Sequence, residues 1–190
     1  MAHALTPNIA MELVFHEAIV TQAYRDSAGV WTWGVGITDA SGHTVYPRYL
    51  DNPQPLHRCL DVFLQVARTR YLPTVDEVFA SQPLNEAQAG AALSFHYNTG
   101  ALKRATWVKD VLAGDDAAAR SNIMSWNRAG GNIAAGLTRR RAAERDLFFD
   151  GKWSNDGTTL VVPIDKPAYS PNIGGAVRAE ILSIIQELLG

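Results

Sequence analysis

The chain has 190 residues, 47% of them apolar and 19% charged, with a net charge of -2. That length allows one domain, or a small lobe and a larger one, around a real core, and the composition excludes a disordered chain. So small a net charge gives no general attraction to nucleic acid or to an anionic wall, so any anionic partner has to be met by a local cluster.

Cys59 is the single cysteine, which rules out an intramolecular disulfide and reads as a small buried hydrophobe. The N-terminal residues lack a basic segment followed by an apolar run, and no apolar run reaches the roughly 18 residues of a membrane span. Neither a signal peptide nor stable membrane insertion is expected. A substrate outside the cytoplasm would then require another agent to release the protein.

Thr6-Pro7 is a helix start, with Thr as N-cap and Pro at the first helical position. Ala10, Leu13, Val14 and Glu17 follow on one face, so Glu17 lies on the buried side. Alone, such a residue reads as a salt-bridged structural glutamate. From Ala23 to Tyr46, Gly29, Gly34, Gly36 and Gly42 punctuate a run rich in Val, Trp, Thr and Tyr, which predicts short twisted strands with a turn at Ser41-Gly42. Pro47, Pro53 and Pro55 make residues 47–55 an irregular connection. A helix resumes near Leu56 and runs to about Tyr71, with Leu60, Phe63, Leu64 and Ala67 on one side; Pro73 and Pro83 bracket a loop or short helix.

Asn85 and Gln88 have capping-box spacing, opening a helix that Gly100 closes. Thr106 is expected to cap a short helix ending at Gly114, and Asp115 another carrying Ile123, Met124 and Trp126. Gly130-Gly131 is a break, after which Thr138 is expected to cap a helix to about Phe149, with Gly151 beyond it. Residues 154–190 read as an extension to a main domain of residues 1–153. Asn155-Asp156-Gly157, Pro163, Pro167 and Pro171 keep it extended, and a last helix carries Val177, Ile181, Ile184, Ile185 and Leu188 on one stripe. That stripe is expected to pack on the main core, with self-association of an otherwise monomeric chain as the alternative.

A glycosidic bond breaks through an oxocarbenium-like state in which the departing oxygen needs a proton. A carboxylic acid sheltered from water holds a proton nearer neutral pH, while a second carboxylate stays ionised to activate water or attack the sugar. Glu17 at a helix end and Asp26 on a polar turn suit these tasks, and the Thr32 hydroxyl can help hold a water. The E-x8-D spacing alone is common by chance. His3, His16, His43, His57 and His96 show no ligand spacing, and Gly34-Val35-Gly36 lacks the third glycine of a dinucleotide loop, so neither metal nor cofactor is expected.

The run Glu17, Ala23-Tyr24-Arg25-Asp26, Gly29-Val30-Trp31-Thr32 and Gly34-Val35-Gly36-Ile37-Thr38 resembles the catalytic segment of phage-type lysozymes, glycoside hydrolase family 24. Later motifs agree in order: Ser94-Phe95-His96-Tyr97-Asn98-Thr99-Gly100, Leu112-Ala113-Gly114-Asp115, Trp126-Asn127-Arg128-Ala129-Gly130-Gly131, and Gly136 through Arg145. Two positions depart from the pattern: Ile37 stands where many members have histidine, and Ala18 where many have glycine.

The resemblance implies a mostly α, lysozyme-like α+β fold, in which a small hairpin lobe and a larger helical lobe joined by a long helix enclose a groove. It implies hydrolysis of the β-1,4 bond between N-acetylmuramic acid and N-acetylglucosamine in peptidoglycan by a phage or prophage endolysin. Glu17 then matches the general acid, and Asp26 and Thr32 match the residues that position the attacking water. Arg140 matches an arginine paired with the acid, and Asn98 and Gly131 match positions near the saccharide groove. Trp31 is a candidate stacking surface for sugar, although core packing explains most tryptophans as well. The competing expectations are a lytic transglycosylase, which needs one acid and no positioned water, and a non-catalytic wall-binding or virion module.

Overall fold

Thr6 caps the first helix as expected: its hydroxyl accepts the Ile9 N–H at 3.3 Å, and helix α1 spans Pro7–Glu17. This computed structural model describes residues 3–190. A three-stranded antiparallel sheet follows, formed by β1 (Val20–Arg25), β2 (Trp31–Gly34) and β3 (Ile37–Thr38) in sequential order. Its β1–β2 register shifts between Val20, opposite Gly34, and Tyr24, opposite Thr32. The irregular connection explains where the bulged backbone finds partners: Ala23 donates to Tyr49 O and Gln54 donates to Thr21 O, both at 2.8 Å. Trp33, fully buried, stacks on Tyr49 at 3.8 Å and donates its indole N–H to Thr21 O.

Helix α2 covers Leu56–Val66 and buries Cys59, Leu60, Phe63 and Leu64. Burial pushes the Cys59 thiol up to about 12, so it behaves as an inert hydrophobe. The expected stop at Tyr71 does not occur. A π-helical turn over Ala67–Tyr71 leads directly into α3 (Leu72–Val78), because Pro73 falls in the first turn of α3, where an absent N–H costs nothing.

The capping box at Asn85 and Gln88 is present with both of its hydrogen bonds, and α4 (Glu86–Thr99) ends at Gly100 in the left-handed conformation. Two N-caps differ from expectation. Helix α5 (Thr106–Leu112) has Ala105, not Thr106, at its N-cap. Helix α7 (Ala135–Asp150) starts before Thr138, whose hydroxyl donates to Ala134 O at 3.1 Å within the helix instead of capping it. Between them, Asp115 caps α6 (Asp116–Ile123), which ends before Trp126. Gly130 and Gly131, both at positive φ, form the two-residue turn of a hairpin between β4 (Arg128–Ala129) and β5 (Asn132–Ile133).

In the remainder, β6 (Thr158–Val161) pairs with β9 (Val177–Glu180), and β7 (Ile164–Asp165) with β8 (Ser170–Pro171). Val177 therefore belongs to a strand and not to the terminal helix, α8 (Leu182–Leu189), whose Ile185 is buried. Helix α8 packs against α1 and α2.

The chain divides into two compact units. One comprises residues 5–70 and 155–190, so the tail shares a unit with α1, the three-stranded sheet and α2. The other comprises, among the described residues, 3–4 and 71–154 and is mostly helical. Its core is an aromatic chain in which Trp107 meets Phe95 at 5.2 Å and Phe148 at 5.4 Å, edge to face, with α7 packed on α4.

Burial holds His43 below the ordinary histidine value of 6.5, assisted by Arg48 and Arg58. His96 is lowered in the same way, by burial and then Lys103. Below pH 6.5 the unfolded chain takes up these protons first, so stability is complete above that pH and falls on acidification towards the lowered values. His43→Phe, which keeps a flat ring beside Tyr49, should flatten part of this slope in denaturant unfolding measured from pH 7 to 5.

Candidate active site

Helix α1 ends at Glu17 because the next residue, Ala18, turns to φ 61° and ψ -179°, with its N–H bonded to Val14 O at 3.0 Å. Glu17 is half-buried at this corner. Strand β1 then carries the chain to Asp26, which begins a tight turn. Asp26 Oδ1 accepts the N–H groups of Ala28 at 2.9 Å and Val30 at 2.8 Å, while the Asp26 N–H donates to Val30 O at 3.0 Å. Gly29, at φ 77°, donates to Asp26 O, and its own carbonyl accepts from Arg25 Nη1 at 2.8 Å. The carboxylate is thus clamped by its own turn in one orientation.

Thr32 is buried on β2 directly across from Tyr24, and its hydroxyl donates to Val30 O at 3.2 Å. Tyr24 links the site. Burial, then the charges of Glu17 and Asp26, push its phenol above the ordinary value, so it stays a neutral O–H under the influence of both carboxylates. Within one unit, Tyr24 thus lies across the sheet from Thr32 and feels the charges of both Glu17 and Asp26. Tyr24 itself was not among the expected site residues; its place two residues before Asp26 on a strand was the available signal.

Trp31 stacks on Tyr46 at 4.9 Å, receives the Arg25 guanidinium at 4.4 Å from its ring centre, and meets the Tyr169 ring edge-on at 5.7 Å. Ile37, at the position where histidine is frequent, is fully buried in the core.

The other expected residues lie in the helical unit. Asn98 is exposed and, with Thr99, Ser125, Trp126, Arg128 and Leu137, lines an open cleft of about 340 Å³. Its Oδ1 accepts from Arg141 Nη2 at 2.9 Å. Gly131 sits at the exposed hairpin turn, its carbonyl held by Arg128 Nη1 at 2.9 Å. Arg140 and Arg141 do not oppose a helix N-terminus, because α7 begins several residues earlier. Both are buried instead against Glu144: Arg140 Nε lies 3.1 Å from Oε1 and Arg141 Nε 2.8 Å from Oε2. Ser94 completes the cluster, donating to Glu144 Oε1 at 2.8 Å and accepting from Arg140 Nη2.

With this geometry in place, the chain was compared with known proteins. A model described as phage lysozyme matches residues 15–144. The chain belongs to the phage lysozyme family. Over 143 residues it is 38% identical to the endolysin of Bacillus phage B103, a match covering 73% of this chain and 51% of that protein. The chain thus spans about half the length of that relative. It is 31% identical over 145 residues to the SAR-endolysin of Escherichia phage Mu, covering 72% of this chain and 75% of the relative. The solved endolysin from Escherichia coli O157:H7 phage FAHEc1 superposes with a TM-score of 0.64 at 22% identity, over 82% of this chain and 99% of that one. This phage lysozyme therefore has the mostly α, lysozyme-like α+β fold that the motifs implied.

Among the residues that sequence reasoning missed are Ser94 and Glu144, the buried partners of Arg140, and Arg141, which shares Glu144 with it. Their signal was the i,i+3 and i,i+4 spacing of the two arginines to Glu144. Glu144→Ala removes a carboxylate shared by two buried guanidiniums, and should cost roughly 3–5 kcal/mol in denaturant unfolding, far more than a surface ion pair.

Proposed function

We propose that this phage lysozyme is a muramidase that hydrolyses the β-1,4 bond between N-acetylmuramic acid and N-acetylglucosamine in peptidoglycan. The observation that carries the reading is the family match over Glu17 at a helix end, Asp26 held by its own turn and Thr32 buried on a strand. The family match spans all of them, together with Asn98, Gly131 and Arg140.

Glu17, half-buried at its helix corner, protonates the departing oxygen. Asp26 has two backbone N–H groups on Oδ1, which fix the carboxylate and leave Oδ2 to direct a water at the anomeric carbon. The Thr32 hydroxyl spends its proton on Val30 O, so towards that water it acts as an acceptor. The family resemblance alone gives Asn98, Gly131 and Trp31 a place against the glycan and gives Arg140 support of the acid; Arg140 here is bound to Glu144 and Ser94.

The relatives' names, endolysin and SAR-endolysin, support a role in lysis, and to this we add synthesis in the bacterial cytoplasm and action on the host wall after release. No helix among the described residues is long and apolar enough to cross a membrane. The buried face of α8 supports action as a monomer.

Purified sacculi digested with this protein should release fragments one water heavier than the parent bond, resolved by mass spectrometry. Glu17→Gln should retain the fold and lose about 100-fold or more of turnover, the scale of a general acid. Fragments ending in 1,6-anhydro sugars would replace hydrolysis by transglycosylation. Binding to sacculi without any release would make the protein a wall-binding module.

A further inference from the structure

Residues 155–171 lie outside the stretch matched by the family model, yet they bond to the chain at each place where a proposed catalytic carboxylate leaves its element. At the first place, the Val14 carbonyl accepts both the Ala18 N–H and the hydroxyl of buried Thr159, each at 3.0 Å. Ile19 donates to Leu160 O and accepts from the Val162 N–H, both at 2.8 Å. Between these bonds lies Ala18 at φ 61°, a conformation that a residue with a side chain adopts only when its surroundings impose it. One turn earlier, buried Glu12 accepts the Asn155 N–H at 3.1 Å and its Nδ2 at 3.0 Å.

At the second place, Tyr169 accepts the N–H of Arg25, the residue before Asp26, at 2.7 Å. Tyr169 is also at positive φ, 54°, and its hydroxyl donates to Asp51 Oδ2 at 2.9 Å. Asp51 is in turn paired with Lys166. The Tyr169 ring meets Trp31, the residue before Thr32, edge-on.

We propose that residues 155–171 are a positioning device for the hydrolysis, with Thr159 setting the corner that aims Glu17 and Tyr169 setting the strand end that aims Asp26. This rests on the muramidase reading of those two carboxylates. Neither Thr159 nor Tyr169 is a catalytic residue; each acts through the backbone beside one. Displacements well below the size of an atom at reacting groups cost large factors in rate, so turnover is the sensitive quantity.

The test uses Thr159→Val, Thr159→Ser and Tyr169→Phe in the full chain. Thr159→Val and Tyr169→Phe should each lower kcat at least about three-fold with KM nearly unchanged, and should move the limbs of the pH–rate profile. Thr159→Ser, which keeps the hydroxyl, should restore wild-type turnover. Hydrogen exchange of the Ile19 and Arg25 amides should be slow in wild type and faster in the matching variant. Unchanged kcat in both variants, equal loss in Thr159→Ser and Thr159→Val, or rapid exchange of either amide in wild type would overturn the proposal. Failure of the muramidase reading appears separately, as full activity of Glu17→Gln, and the positioning role falls with it even where both amides are protected.

Discussion

One carbonyl organises the corner at Glu17. Val14 O ends α1 by taking the Ala18 N–H, and the Thr159 hydroxyl occupies the same oxygen. The chain then leaves the helix at Glu17, turns at Ala18 and enters β1 with Ile19 already bonded to β6. Every later placement follows from that exit. The irregularity between Val20 and Tyr24 resets the register so that Tyr24 faces Thr32, and a slip of one residue would send the phenol to the opposite face of the sheet.

Much of this was legible in the residues themselves. Thr6-Pro7, the Asn85–Gln88 box, Asp115 and Gly100 act locally, so a short window contains the whole cause and the helix ends they mark stand as read. The Asp26 turn is of the same kind, closed by its own side chain within five residues. Thr106 and Thr138 misled because a threonine near a helix start can lie inside the helix instead of capping it. At position 138 the hydroxyl bonds backwards to Ala134 inside a helix that has already begun. Illegible altogether were the long-range bonds. That Thr159 would seek the end of α1, or Tyr169 the end of β1, depends on chain closure over many residues and leaves no periodic trace.

The helical unit shows a second kind of constraint. Helix α7 is rich in arginine, which reads as a solvated face, yet Arg140, Arg141 and Glu144 are buried among Ser94 and Phe95. Burying two cations and one anion is tolerated only when hydrogen bonds satisfy the group together, and Ser94 and Asn98 supply part of that satisfaction. Such a cluster holds α7 against α4 in one register, since sliding either helix by a residue would strand charge in the core. The exposed Asn98, on the rim of the neighbouring cleft, is thereby fixed by a buried arginine.

The unit that holds both carboxylates is made from two separated stretches, residues 5–70 and 155–190. On the ribosome, the strands that complete it emerge only after residues 71–154 have been made. A nascent or prematurely terminated chain therefore lacks the bonds at Ile19 and Arg25, however well its helices have formed. The order of translation thus leaves the corner at Glu17 and the strand end before Asp26 without those bonds until residues 155–171 have been made.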